Sequence, residues 1–346
     1  MSERCGLMLG SQTIGVCVVG AGRAGMIHAR NFAKHVPGAR LAAVADPDAE
    51  AAKAACAELG IGTYYAGYAD ALEDRAIDAF VVVTPTKYHR DAAVGIASAG
   101  RHILCEKPMA MTAEECDDMI AAAEKSGVVL QIGFMRRFDK GFARAKAEVD
   151  SGAIGDVVMV RSNTRGPSVP QPWMYDVKAS NGPLAEVNSH DIDTLRWFTG
   201  SEFESVYAIG GNFRSPGARE NFPDFYDNVV IAAGFKNGMQ GMIDGAQGVA
   251  YAYDARVEVL GTKGCVFIGR LRDESVVTCT GGDGAYPLVD TWRSLFKDAY
   301  LGEDVAFIES IRTGAPPRVT GLDGKMAVQV VNAGNASIIE KRAIWL

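Results

Sequence analysis

The chain has 346 residues, 48% of them hydrophobic and 22% charged, with a formal net charge of −7. Acidic and basic residues are interspersed without a basic stripe, which argues against a nucleic-acid partner, and no apolar run approaches the ~20 residues that span a bilayer. Single cores stop growing at roughly 250–300 residues, so a chain of this length is expected to form two domains.

Residues 1–12 lack an apolar signal core and are expected to be a flexible N-terminus of a cytoplasmic protein. Strand and helix patterns then alternate. TIGVCVVG (13–20), ARLAAVAD (39–46), IDAFVVVTP (77–85), RHILCEK (101–107) and VVLQIGF (128–134) are apolar runs bounded by turn residues. Between them lie helical spacings such as AEAAKAACAELG (49–60) and TAEECDDMIAAAEKSG (112–127). In the second, Thr112 with Glu115 forms a capping box and Gly127 marks the C-terminal end. Continuous apolar strands alternating with helices imply a parallel sheet covered on both faces, an α/β Rossmann domain over 13–135.

From about 155 the pattern changes to longer strands: DVVMVRSNTR (156–165), ESVYAIGGNF (204–213), DNVVIAAGF (227–235), GMQGMIDGAQ (238–247) and ARVEVLG (255–261). Asn-Gly in FKNGM (235–239) signals a hairpin. Helical patterns fall at about 183–198 and 321–341. Residues 136–346 are therefore expected to form an α+β domain with an open, mostly antiparallel sheet for substrate and subunit contacts. The terminal helix is a candidate to pack back on the first domain. The seven cysteines are odd in number and contain no C-x-x-C pair, so reduced core thiols are expected rather than a disulfide framework or zinc ribbon.

The first strand runs into Gly20-x-Gly22-x-x-Gly25 and then a helix, the context that makes this motif a dinucleotide fingerprint. Gly20 permits the tight turn, Gly22 the close approach of a pyrophosphate, and Gly25 the packing of helix on strand. Arg23 and Ala24, between them, open the helix whose free N–H groups and positive potential suit the phosphates. Asp46 ends the second strand 21 residues after Gly25. A carboxylate there accepts from both ribose hydroxyls and repels a 2′-phosphate, so NAD is expected over NADP. The other reading of Asp46 is a cap for the next helix. Thr84 and Pro85 close a further strand at the carboxyl edge, where ligands bind in such sheets.

The glycine fingerprint, TPTKYH (84–89), CEKP (105–108), GFMRRFD (133–139) and GPLAEVNSHDIDTLRW (182–197) occur in this order. Together they resemble the Gfo/Idh/MocA oxidoreductases over nearly the whole chain. GFMRRFD and ARVEVLGTKG (255–264) are similar to the inositol dehydrogenase branch. The resemblance implies hydride transfer between NAD and a carbinol of a cyclitol or sugar. It adds His89, Glu106 and Lys107 to the cofactor contacts and implies a cis peptide before Pro108. Lys107, at a strand end, is suited to stabilising a developing alkoxide.

Glu186, His190 and Asp193 recur at i, i+4 and i+7, so a helix started by Pro183 would carry all three on one face, with Asp191 elsewhere. An imidazole between carboxylates suits a general base. By resemblance His190 takes the substrate proton and Asp193 binds a substrate hydroxyl. Glu186 stands where many relatives have aspartate, so it orients His190, contacts substrate or marks a different substrate. Arg136 and Arg137 are open between substrate or cofactor contact and structural ion pairing, with Arg137 the candidate for substrate. Trp173, in the Pro- and Gly-rich segment 164–183, could stack on a sugar face or anchor the loop. No metal is expected. The main expectation is an NAD-dependent dehydrogenase of a cyclitol or sugar, forming a homodimer or homotetramer. A pyranose or glycoside dehydrogenase and a non-catalytic NAD-binding sensor are the alternatives.

Overall fold

The computed structural model describes residues 13–280 and 283–346. The expectation for residues 1–12 lies outside the described residues. The described residues divide into two compact units, the first made of 13–109, 114–133 and 300–322 and the second of 110–113, 134–280, 283–299 and 323–346.

The first unit contains β1 (Ile14–Val19), α1 (Gly25–Lys34), β2 (Ala39–Ala45), α2 (Ala49–Leu59), β3 (Tyr64–Tyr65), α3 (Tyr68–Ala71), β4 (Ala79–Val82), α4 (His89–Ser98), β5 (His102–Glu106), α5 (Ala113–Ser126) and β6 (Leu130–Gly133). The sheet order is 3-2-1-4-5-6, with every pair parallel. All six residues of β1 and all four of β4 are buried, as strands covered on both faces must be. Asp48 caps α2 by accepting from the N–H groups of Glu50 and Ala51, and Gly60 ends it in the left-handed region. A late helix, Lys297–Thr313, completes this unit: Phe307, Ile308 and Ile311 join Ile14, Val16, Phe32 and Leu41 in one core cluster. Each such side chain removed from water contributes about 1.5–3 kcal/mol. Residues 300–322 belong to this first unit.

The second unit adds α6 (Lys140–Asp150), β7 (Val157–Gly166), α7 (Val177–Ser180), α8 (Ser189–Thr199), β8 (Phe203–Gly211), β9 (Asn228–Phe235), β10 (Gln240–Gln247), β11 (Asp254–Gly261) and β12 (Cys265–Ile268). Then come the hairpin β13–β14 (Thr278–Thr280, Asp283–Ala285), α9 (Trp292–Leu295), α10 (the helix Lys297–Thr313 already described), α11 (Gly321–Glu340) and β15 (Ile344–Trp345). The main sheet has the order 12-11-7-10-9-8-15 and is antiparallel except for the β7–β10 pair. The β9–β10 hairpin turns on Asn237-Gly238, with Gly238 at φ 83°. Val160, Ser162 and Thr164 of β7 are buried while Arg161, between them, faces out. Tyr207, Ile209, Val230 and Phe267 are exposed, Ile209 by 60% and Phe267 by 77%. One face of this sheet is thus open, with large apolar side chains left to water.

Candidate active site

The dinucleotide cradle is built by the turn between β1 and α1. Gly20 adopts φ 107°, and a Cβ there would meet the Val83 carbonyl oxygen at 2.7 Å. A Cβ on Gly25 would lie 1.9 Å from the Gly20 carbonyl oxygen, so helix and turn approach each other only without a side chain. Gly22 differs: a Cβ there would meet no protein atom within 4 Å. It is exposed, as is Arg23, and Ala24 precedes the first turn of α1. The space over Gly22 is open to a pyrophosphate, which a side chain there would obstruct.

Asp46 follows β2, and one of its oxygens accepts the Ala21 N–H at 2.7 Å while the other accepts from Asp48 at 2.9 Å. Each carboxylate oxygen has a second lone pair, so acceptor capacity remains for ribose hydroxyls. The helix cap is Asp48, which leaves Asp46 to the turn. Beyond β4, Thr84 Oγ1 is buried and has no hydrogen-bond partner among the described residues, and Pro85 is exposed. The open space above Gly22, the spare acceptors of Asp46 and the orphan hydroxyl of Thr84 fit NAD.

Lys107 follows β5, is half-buried, and joins Pro108 through a cis peptide. Its N–H donates to Glu106 Oε2 at 2.9 Å. Glu106 Oε1 lies 3.2 Å from His28 Nε2, and His28 Nδ1 lies 2.7 Å from Asp304 Oδ1. Asn31 donates to the other Asp304 oxygen at 2.8 Å. His28, Glu106 and Asp304 are all buried. Burial alone would lower the pKa of His28, but the hydrogen-bonded Asp304 and Glu106 carry it well above 6.5. Glu303 is also fully buried, neither of its oxygens has a hydrogen-bond partner among the described residues, and burial beside Glu106 pushes its pKa well up. Ligand-type atoms of His28, Glu106 and Glu303 lie within 4.8 Å of one another. With both nitrogens of His28 already on carboxylates, these groups form a proton-holding cluster.

His89 opens α4 with Nδ1 2.9 Å from the Pro108 carbonyl oxygen and Nε2 2.7 Å from that of Thr84. Two carbonyl acceptors suit a ring carrying both protons, whereas burial, the larger effect, lowers its pKa below 6.5. Glu106 and His89 were expected to touch the cofactor. Their polar atoms meet protein groups inside the first unit, on either side of Lys107 in sequence.

In the second unit, Pro183 leads into a π-helical turn, Leu184–Asn188, which carries Glu186 and passes into α8 at Ser189. π turns of this kind are frequent at functional sites. The single regular helix expected from Pro183 is thus two segments. His190 is buried, and its ring meets that of Phe134 edge-on at 5.9 Å. Asp191 anchors α8: its Oδ1 accepts from Ser162 Oγ (2.5 Å), Thr164 Oγ1 (2.8 Å) and Arg136 Nη1 (2.9 Å), and its Oδ2 from Asn188 Nδ2 (2.8 Å). Arg136 is 1% exposed, with the rings of Phe142 and Phe296 5.6 and 5.8 Å from its guanidinium carbon.

Arg137 donates from Nε and Nη2 to the two oxygens of Asp193, at 3.0 and 2.5 Å, and to Asp323 at 3.0 Å. Burial disfavours its charge, but Asp193 and Asp323 hold its pKa above the ordinary value. Arg137 and Asp193, both expected to meet substrate, form a buried bidentate pair that fixes α8 to the turn at 135–138. Trp173 is 55% exposed in a short 3-10 turn. Tyr253 packs edge-on against Phe296, and Tyr251 donates to Asp254 at 3.1 Å. Sequence reasoning missed His28, Glu303 and Asp304. The available signal was polar residues on helix faces that otherwise read as apolar, GMIHARNF and LGEDVAF.

A parallel sheet of Rossmann order, a glycine cradle with an acidic strand end, and a lysine closing the fifth strand define a dinucleotide-dependent oxidoreductase. Residues 14–134 match the oxidoreductase family with NAD-binding Rossmann fold, GFO_IDH_MocA, and residues 142–267 match the GFO/IDH/MocA C-terminal domain. The chain belongs to the Gfo/Idh/MocA family, and it is an NAD-dependent oxidoreductase acting on CH–OH groups. It is 34% identical over 330 residues to myo-inositol 2-dehydrogenase of Thermotoga maritima, covering 95% of this chain and 97% of that one. It is 34% identical over 313 residues to scyllo-inositol 2-dehydrogenase (NAD(+)) of Bacillus subtilis, covering 90% of each. The crystal structure of scyllo-inositol dehydrogenase from Lactobacillus casei with bound NAD(H) and scyllo-inositol superposes with a TM-score of 0.88 at 26% identity, covering 96% of this chain and 99% of that one. Among the described residues no helix is long and apolar enough to cross a membrane.

Proposed function

We propose that the protein oxidises a secondary alcohol of a cyclitol of the inositol class. The observation that carries this reading is the lysine held at the end of β5, in a chain one-third identical to enzymes named for inositol oxidation over nine-tenths or more of its length. NAD, when bound, supplies the hydride acceptor. The Lys107 ammonium donates to the reacting hydroxyl and stabilises the alkoxide as charge develops. His190 accepts the hydroxyl proton, and the Glu186 carboxylate orients its ring. Arg137, Asp193 and Asp323 keep α8 in place. Trp173 offers an apolar face to the ring carbons of the substrate. Gly20, Gly22, Arg23, Ala24, Gly25, Asp46, Thr84 and Pro85 receive the dinucleotide.

We also propose that the open sheet face, with Ile209, Val230 and Phe267 exposed, takes a second copy of this chain, giving a dimer or a tetramer. Covering such a face removes apolar area that a lone subunit leaves in water.

The test is NADH formation at 340 nm on myo-, scyllo- and chiro-inositol, free aldoses and C1-blocked glucosides, with NAD+ and NADP+ in parallel. The expected result is turnover of an inositol with NAD+. Loss of at least 100-fold in kcat is expected for Lys107→Ala and for His190→Ala, with NADH binding retained. Turnover of sugars or glucosides alone would replace the cyclitol by a pyranose. Wild-type kcat in both variants would refute the mechanism, and higher kcat/KM with NADP+ would refute the role of Asp46.

A further inference from the structure

Lys107 stands between two residues that are each tied to a buried histidine, and the two histidines come from different helices. On one side, Glu106 receives the Lys107 N–H at 2.9 Å and meets His28 of α1 at 3.2 Å. On the other, the Pro108 carbonyl oxygen meets His89 of α4 at 2.9 Å. The chain of contacts continues outward. His28 is held by Asp304, which Asn31 also binds, and the Tyr300 ring stands edge-on to the His28 ring at 5.5 Å. His89 is held by the Thr84 carbonyl at 2.7 Å. Both rings are essentially inaccessible, at 0% and 1% exposure, so neither can meet a ligand directly.

We propose that His28 and His89 are positioning residues that fix the Lys107 turn from its two sides, the first through the Glu106 carboxylate and the second through the Pro108 carbonyl. The inference rests on the reading of Lys107 as the group that meets the reacting oxygen. A turn held at one end can still pivot about the other. Held at both, it confines the lysine stem to one direction of approach. The energetic logic is that of preorganisation: a misplacement of ~1 Å at a reacting group can lower a rate about 100-fold without altering what is bound. The His28 side has a further requirement. Its imidazolium must face Glu106 and Asp304 together, with Glu303 close by in the same buried space. An ionised Glu303 would compete with Glu106 for the ring. A protonated Glu303 leaves the His28–Glu106 contact intact.

The experiment uses the full-length enzyme with the substrate identified above and the variants His28→Gln, His89→Gln and Glu106→Gln, each alone and combined with Lys107→Ala. The measured quantities are kcat, KM and the NADH dissociation constant by fluorescence. The expected result is a loss of about 10–100-fold in kcat for each single variant, with KM and NADH binding within about twofold of wild type. In the Lys107→Ala background the same changes should have no further effect on residual turnover, because they act only through the lysine. A merely structural role would lower both backgrounds alike. If His28→Gln does not fold, His89→Gln decides alone. Wild-type kcat in His89→Gln and in every folded variant, beside an inactive Lys107→Ala, overturns the clamp and leaves the lysine mechanism standing. An active Lys107→Ala overturns the mechanism itself. A divalent ion copurifying at one per chain with His28 as its ligand also overturns the assignment.

Discussion

Replacing Asp191 by alanine should destabilise the second unit more than any surface change could. Asp191 has no exposed surface and receives donors from Ser162, Thr164, Arg136 and Asn188. Without it, the guanidinium of Arg136, itself 1% exposed, keeps its charge with no carboxylate in contact. Breaking a buried pair from one side costs about 3–5 kcal/mol. For a unit of this size each kcal/mol lowers Tm by roughly 2–4 °C, so the melting temperature should fall by roughly 6–20 °C. The double variant Arg136→Met with Asp191→Leu removes both charges and keeps the space filled, and should recover most of that loss. Thermal unfolding followed by circular dichroism, with urea titration for the free energy, measures both. A single-variant loss below about 1 kcal/mol would show that Arg136 reaches water or another acid, and the account of how α8 is anchored would be wrong.

Two more outcomes are expected. His28 and Glu303 both keep their protons to higher pH in the folded chain than in the unfolded one. The native state then binds more protons, and stability falls as pH rises. The His28 contribution is complete below its ordinary value of 6.5 and is lost as pH climbs through the raised one, while the loss from Glu303 begins above 4.5. Tm should therefore decline from pH 6 to 9, less steeply in Glu303→Gln. An identical slope in that variant would remove Glu303 from the cluster. For the open sheet face, Ile209→Glu combined with Phe267→Glu should shift the wild-type oligomer to a smaller species in sedimentation velocity while NADH binding persists. An unchanged sedimentation coefficient would move the interface elsewhere.

Much of the architecture was legible because local pattern and tertiary role coincide. The apolar runs at 13–20 and 39–46 read as strands, and the strands lie within a residue of those bounds. The glycine motif was equally readable, since its steric reasons are local to β1 and α1. The helix Lys297–Thr313 was less so: nothing in its own residues says that it belongs with strands almost 300 positions earlier. At the helix that carries His190, spacing suggested one regular helix, and the resemblance implied a substrate role for Asp193. The π turn before Ser189 and the match of Arg137 to Asp193 depend on packing partners far away in sequence. His89 and Glu106 were recognisable from the motif. Their buried contacts with His28, Thr84 and Pro108 were not, because a motif records which residues recur and not which way they face.

The first unit is discontinuous: it is not complete until residues 300–322 have joined residues 13–109 and 114–133. During synthesis, at about 5–20 residues per second, roughly 10–40 s separate the emergence of the last sheet strand from that of the helix that closes its core. Through that interval the nascent sheet lacks Phe307, Ile308 and Ile311, and His28 lacks Asp304. The ribosome therefore delivers a nucleotide-binding half whose glycine turn can already form but whose lysine turn has no finished support. A fragment cut after residue 135 would remain in that unfinished state permanently. The shortest self-sufficient dinucleotide-binding piece of this protein is not an N-terminal segment, but the N-terminal segment spliced to a late helix.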